Sequence, residues 1–248
     1  MLNQQTLTRL RELRLPGMAA AYEEEQRQGN SGQLSFDDRF GLLVEKEWGM
    51  RQERRTQRRL KDAHLKEQAW LEDADLDSAR GLSREVGREL GTCNWIRAKK
   101  NLLVTGPTGT GKTWVSCALA NKACREGMTS YYARVPRLVH ELAVARLDGS
   151  FLKTLARLAK VDLLILDDFG LCPLEQEAQH SLLELIDDRV STRSTIVTSQ
   201  LPVEKWYGTF TDPTVAEALL DRLLGHSQKV KLTGPSRRPK TDKKGKEG

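Results

Sequence analysis

The hydrophobic pattern changes period partway along this chain. Between Gln4 and about Gln28, Leu7, Leu10 and Leu13, then Met18 and Tyr22, recur at helical spacing with a break at Pro16-Gly17, which predicts two short helices. From Ser35, the residues Phe36, Phe40, Leu43, Val44 and Trp48 line one side of a longer helix carried to about Trp70. Ser35 is placed to cap this helix, Asp37 and Asp38 suit its positive end, and the aromatic side is expected to be core. Beyond residue 80 the runs KNLLVT, MTSYYARV, VDLLILDD, STIVTSQ and QKVKL read as strands. They alternate with a helix carrying Val115, Ala118, Leu119 and Ala123 and with helical stretches over 136–147, 150–160, 174–192 and 214–226. Such alternation predicts an α/β unit with a parallel sheet of five strands covered by helices, preceded by a small all-helical domain. The expected boundaries are a helical domain over 1–70, an acidic, loosely ordered linker over 71–80, the α/β domain over 81–234, and a basic disordered tail over 235–248.

Composition narrows the setting. Of the 248 residues 38% are hydrophobic, enough for a packed core. No apolar run approaches the ~20 residues that cross a bilayer, and MLNQQTLTRLREL has polar residues where a signal peptide is apolar, so a cytoplasmic chain without a membrane partner is expected. Cys93, Cys117, Cys124 and Cys172 form no C-x-x-C pair, which argues against a zinc site or disulfide framework.

The net charge of +6 is concentrated. RQERRTQRRLK (51–61) sets six basic residues against Glu53, and the tail from Pro235 is basic as well. Arg51, Arg54, Arg55, Arg58 and Arg59 fall on one helical face. Like charges stacked in this way repel unless a polyanion neutralises them, so this stripe is the candidate nucleic-acid contact, against the plainer reading of a solvated surface.

The candidate chemistry lies in the α/β unit. GPTGTGKT, formed by Gly106, Pro107, Thr108, Gly109, Thr110, Gly111, Lys112 and Thr113, fits the G-x-x-x-x-G-K-[ST] phosphate loop and follows a strand, as that loop must. Its glycines let the backbone curl with N–H groups facing an anion, at a helix N-terminus of matching polarity. Lys112 is expected on the outer phosphates and the Thr113 hydroxyl on Mg2+. VDLLILDDFG delivers Asp167 and Asp168 at a strand end, the first placed to hold Mg2+ with Thr113, the second to orient or deprotonate water. The DFG string is not read as a kinase motif, because no H-R-D loop precedes it. Ser199 and Gln200 end another strand, and Gln200 is the candidate that holds the water or reports the γ-phosphate.

GPTGTGKT, LLILDDFG, TSQLP, ALLDRLL and GPSRR resemble the AAA+ ATPases of the IstB/DnaC group, and LRELRLPGMAAAYEEE with ERRTQRRLKDA resembles the IstB branch, over about Leu7 to Arg238. The resemblance implies an AAA+ P-loop NTPase that uses ATP and Mg2+, assembles as a homo-oligomer on double-stranded DNA, deforms it and assists a transposase. A DnaC-like helicase loader is the alternative, and a small-molecule phosphotransferase fits poorly. The resemblance also implies that Arg222 of DRLL reaches the γ-phosphate on a neighbouring subunit, and it raises Arg238 as a further contact to nucleotide or to a neighbour. Three positions depart from the family: Asp168 stands where glutamate is common, Gln200 where asparagine is common, and Trp114 where histidine is common. The few residues after QKVKL leave no room for a C-terminal lid domain, so a neighbour is expected to cover the nucleotide.

Overall fold

A computed structural model describes residues 2–28 and 34–237. The chain divides into two compact units that part between Arg58 and Arg59.

The first unit is helical: α1 (Leu2–Glu12), α2 (Pro16–Gln28) and most of α3 (Phe36–Asp62). Pro16 opens α2, where a missing N–H costs nothing. A Cβ on Gly17 would lie 2.7 Å from Cα of Glu47, so glycine here permits backbone contact between α2 and α3. The Glu47 carboxylate, in a residue only 6% exposed, accepts the N–H groups of Gly17 at 2.7 Å and Met18 at 3.2 Å. It thus caps one helix from the flank of another. Burial pushes its carboxyl up, but Arg51 and these two N–H groups outweigh that and hold it below its ordinary value. Ser35 Oγ accepts the N–H of Asp38 at 3.1 Å, the expected cap of α3.

Two expectations fail here. The aromatic side of α3 is not core: Phe36, Phe40, Val44 and Trp48 are 72%, 49%, 44% and 58% exposed, and the buried residue is Glu47. Helix α3 also stops at Asp62 rather than Trp70. His64 takes φ +50, and the Ala63 carbonyl accepts the N–H of Tyr132 at 2.9 Å, so the backbone leaves the helix to bond the sheet edge.

The second unit contains β1 (Asn101–Thr105), β2 (Ser130–Arg134), β3 (Leu163–Asp167), β4 (Ser194–Ser199) and β5 (Ser227–Lys231), all parallel in the order β2-β3-β4-β1-β5. Helices α4 (Arg84–Gly91), α5 (Asn94–Arg97) and α6 (Lys112–Arg125) pack with Leu102, Val104, Ile165 and Ile196 on one face. Helices α7 (Val135–Leu147), α8 (Phe151–Lys160), α9 (Gln176–Asp187) and α10 (Pro213–Leu224) pack with Leu103, Leu164, Leu166 and Val197 on the other. Residues of β3 and β4 are buried on both faces, which explains the unbroken apolar run of β3. Among the described residues no helical lid follows β5.

Residues 71–80 are not a loose linker. They form short 3-10 turns at Leu71–Asp73 and Ser78–Arg80, with Leu71 and Leu76 against the core and Glu72 paired to Arg125 at 2.8 Å. Helix α9 is shorter than the predicted 174–192. It is followed by Arg189, 2% exposed, whose guanidinium donates to the carbonyls of Leu158 at 2.8 Å, Ala159 at 3.2 Å and Val161 at 2.9 Å. This side chain satisfies the last carbonyls of α8 and ties them to β4 through Thr195 Oγ1 at 3.2 Å. Burial, helped by nearby Arg193, lowers its pKa to about 9.

Candidate nucleotide site

Parallel strands gather ligands at their C-terminal ends, and here those ends surround a cavity of about 450 Å3. Gly106, Gly109 and Gly111 take φ +150, +84 and +95, and α6 begins at Lys112 directly after them. Lys112 Nζ lies across the loop mouth, donating to the carbonyls of Gly106 at 2.8 Å and Pro107 at 2.9 Å. A curl of this kind aims backbone N–H groups and a helix N-terminus at phosphate.

The carboxylates come from β3. Thr113 Oγ1 donates toward both oxygens of Asp167, at 3.0 and 3.1 Å. Asp167 is fully buried, and Thr198 Oγ1 in β4 also donates to it while accepting the Asp168 N–H at 3.1 Å. One threonine therefore sets both aspartates. Among the described residues no cluster of three or more His, Cys, Asp or Glu could cage a metal. A single carboxylate beside a threonine hydroxyl fits Mg2+, a hard cation usually held by one or two carboxylates together with substrate phosphates and water.

Asp168 sits just past the strand at φ +61, and Arg134 Nε donates to its Oδ2 at 2.6 Å. The carboxylate holds Arg134 firmly in its charged form. Gln200 lines the cavity and its Oε1 accepts the Thr108 hydroxyl at 2.7 Å, which links β4 to the phosphate loop.

Other lining residues were not read from the sequence. Asp75 pairs with Arg237 and lies 3.6 Å from Arg80, while the Arg237 N–H donates to the Gly109 carbonyl at 2.9 Å. A Cβ on Gly109 would fall 2.1 Å from Ser236 Oγ, so the segment after β5 lies directly on the loop. Arg238 lies outside the described residues, as does the rest of the tail, whereas Arg237 lines the cavity. Arg134 carried no readable signal, since its place beside Asp168 depends on the register of β2 against β3. Asp75 and Arg237 carried none, because their meeting depends on the path of both ends of the unit.

Arg222 is elsewhere. Its Nε pairs with Asp187 and its Nη1 donates to the Ala218 carbonyl at 2.8 Å. Its carbonyl lies 3.4 Å from Asn101 Nδ2, at the start of β1, whereas the phosphate loop leaves the far end after Thr105. That is a strand length of roughly 13 Å at about 3.3 Å per residue. The arginine stripe stays on α3: Arg51, Arg54, Arg55 and Arg58 are exposed and Arg59 is half-buried. Arg51 is engaged within its own unit, by Glu47 at 2.6 Å and the Arg14 carbonyl at 3.0 Å. Cys93, Cys117 and Cys124 are buried and Cys172 exposed, all as free thiols. Among the described residues no helix is long and apolar enough to cross a membrane.

Residues 8–245 match the family described as IstB-like ATP binding protein. A Sinorhizobium fredii protein named as an insertion sequence ATP-binding protein is 47% identical over 96% of this chain and 97% of its own. The ATP-binding protein named for insertion sequence IS1162 of Pseudomonas fluorescens is 52% identical over 82% of this chain and 88% of its own. In fold, the chain is similar to DnaI, with a TM-score of 0.58 at 24% identity over 69% of this chain and 91% of that one. It is likewise similar to the DnaC helicase loader, with a TM-score of 0.52 at 18% identity over 66% and 98%. The parallel sheet and the phosphate loop are thus those of an ATP-binding domain, and the chain belongs to the IstB-like ATP-binding family.

Proposed function

We propose that this chain is an ATP-switched, DNA-binding helper of transposition that works as an oligomer beside a transposase. The names of its relatives place them in insertion sequences, which supports a mobile-element role over helicase loading. Likeness to the helicase loader is one of fold alone. In this reading ATP lies along Gly106–Thr113 with Lys112 on its outer phosphates, and Thr113 and Asp167 hold Mg2+, which offsets phosphate charge when bound. Asp168 accepts the proton of the attacking water and Gln200 orients that water. Arg222 serves a neighbour's nucleotide, where a guanidinium stabilises the charge that develops on the transferred phosphoryl group. The exposed arginines of α3, with the basic tail, take double-stranded DNA.

The observation that carries the oligomeric part is the position of Arg222 at the opposite end of β1 from its own phosphate loop. Particle size on double-stranded DNA, compared with ATP, ADP and no nucleotide, tests the whole. Growth confined to ATP with DNA, and lost in Lys112→Ala, is the expected result. Growth that ignores nucleotide would overturn the switch, and capture of a replicative helicase in place of transposase would favour the loader.

A further inference from the structure

Asp167 is held more tightly than the pairing with Thr113 requires. Tyr132 in β2 reaches across the strand boundary, and its phenol donates to Oδ2 of Asp167 at 2.6 Å. Thr198 in β4 donates to Oδ1 at 2.5 Å. The carboxylate, 0% exposed, is therefore gripped at each oxygen by a hydroxyl from a neighbouring strand. Two such anchors fix both its rotamer and its plane.

Mg2+ tolerates little departure from octahedral geometry and gives up water reluctantly. A carboxylate that meets it must present its lone pairs in one orientation. Partners that orient a metal-holding group from behind commonly matter by about 10- to 100-fold in metal affinity. Tyr132 lies outside the phosphate loop and the aspartate pair, and its strand neighbour Arg134 serves the other carboxylate.

We propose that Tyr132 is a positioning residue for the magnesium of bound ATP, fixing Oδ2 of Asp167 while Thr198 fixes Oδ1. This rests on the reading of Asp167 as the metal carboxylate. The test is equilibrium binding of a non-hydrolysable ATP analogue by the full chain, titrated with Mg2+ and repeated in EDTA. Tyr132→Phe, which removes one hydroxyl, is expected to raise the Mg2+ midpoint about 10-fold while leaving affinity in EDTA unchanged. Thr198→Val is expected to move the midpoint in the same direction. A Tyr132→Phe midpoint equal to wild type would overturn the proposal, as would an equal loss of affinity with and without Mg2+. Asp167→Asn in the same titration separates the two readings. If it leaves the Mg2+ dependence intact, the metal assignment itself fails; if it abolishes that dependence while Tyr132→Phe shifts nothing, only the role of Tyr132 fails.

Discussion

Arg134 and Asp168 form an ion pair at 2.6 Å that joins the end of β2 to the residue after β3. The guanidinium occupies Oδ2, one of the two oxygens with which Asp168 could take a proton from water. Arg134 thus restrains the group proposed to activate water, and Arg134→Ala is expected to raise basal ATP turnover while leaving ATP affinity unchanged. Because Arg134 is half exposed, the pair is worth at most about 1 kcal/mol, which corresponds to a rate change of up to ~5-fold. Steady-state phosphate release checks this, with a fall in turnover as the contrary result.

Asp168→Asn is expected to keep ATP binding and suppress turnover. Arg222→Ala is expected to do the same by a different route. If Arg222 acts across subunits, mixing Arg222→Ala with Lys112→Ala should restore part of the turnover, since a mixed interface can join an intact loop to an intact arginine. No recovery at any mixing ratio would place Arg222 outside the shared site.

These sites differ in how far the sequence revealed them. Strand β3 was legible because burial on both faces leaves a continuous apolar run, and the phosphate loop because each position has its own steric or charge requirement. The end of α3 was hidden, because His64 at φ +50 obeys a tertiary bond from Tyr132 to Ala63 rather than any local breaker. The stripe of Phe36, Phe40, Val44 and Trp48 misled, since helical spacing marks a face without saying whether anything covers it. Tyr132 and Arg134 required the register of β2 against β3, which periodicity does not supply.

Glu47 gives the N-terminal unit a dependence on pH. Its carboxyl titrates lower in the folded chain than its ordinary 4.5. The ionised form therefore stabilises the unit above that value, and the contribution fades as pH falls through it and below. Chemical unfolding followed at pH 7 and pH 3 should show this loss in wild type and a flatter profile in Glu47→Gln. At pH 7 the substitution should cost about 1.5–3 kcal/mol, the scale of hydrogen bonds to a charged group.

The arginine stripe makes a graded prediction for DNA. If Arg54 and Arg55 meet phosphates, each Gln substitution flattens the log-log salt dependence of binding by about one unit. Arg51→Gln should change that slope less and lower the melting temperature more, because its guanidinium is bonded to Glu47 and Arg14. Equal slopes in all variants would return the helix to an ordinary solvated surface.

Gly109 faces two demands, a left-handed φ of +84 and direct contact with Ser236. Gly109→Ala should strain the loop by roughly 1–2 kcal/mol and displace the segment beyond Leu232. Faster protease cleavage after Leu232, with weaker ATP binding, is the expected pair of results.

The contact of Arg237 with Asp75 and the Gly109 carbonyl has a consequence during synthesis. The partners Asp75 and Arg237 are 162 residues apart in sequence. At about 5–20 residues per second the ribosome takes roughly 8–30 s to pass from one to the other. For most of that interval, from Thr113 onward, the phosphate loop is already translated but still lacks its cover. The nascent chain thus acquires its complete nucleotide pocket only after Arg237 emerges, and a polypeptide interrupted earlier carries the whole phosphate-loop motif without the finished site.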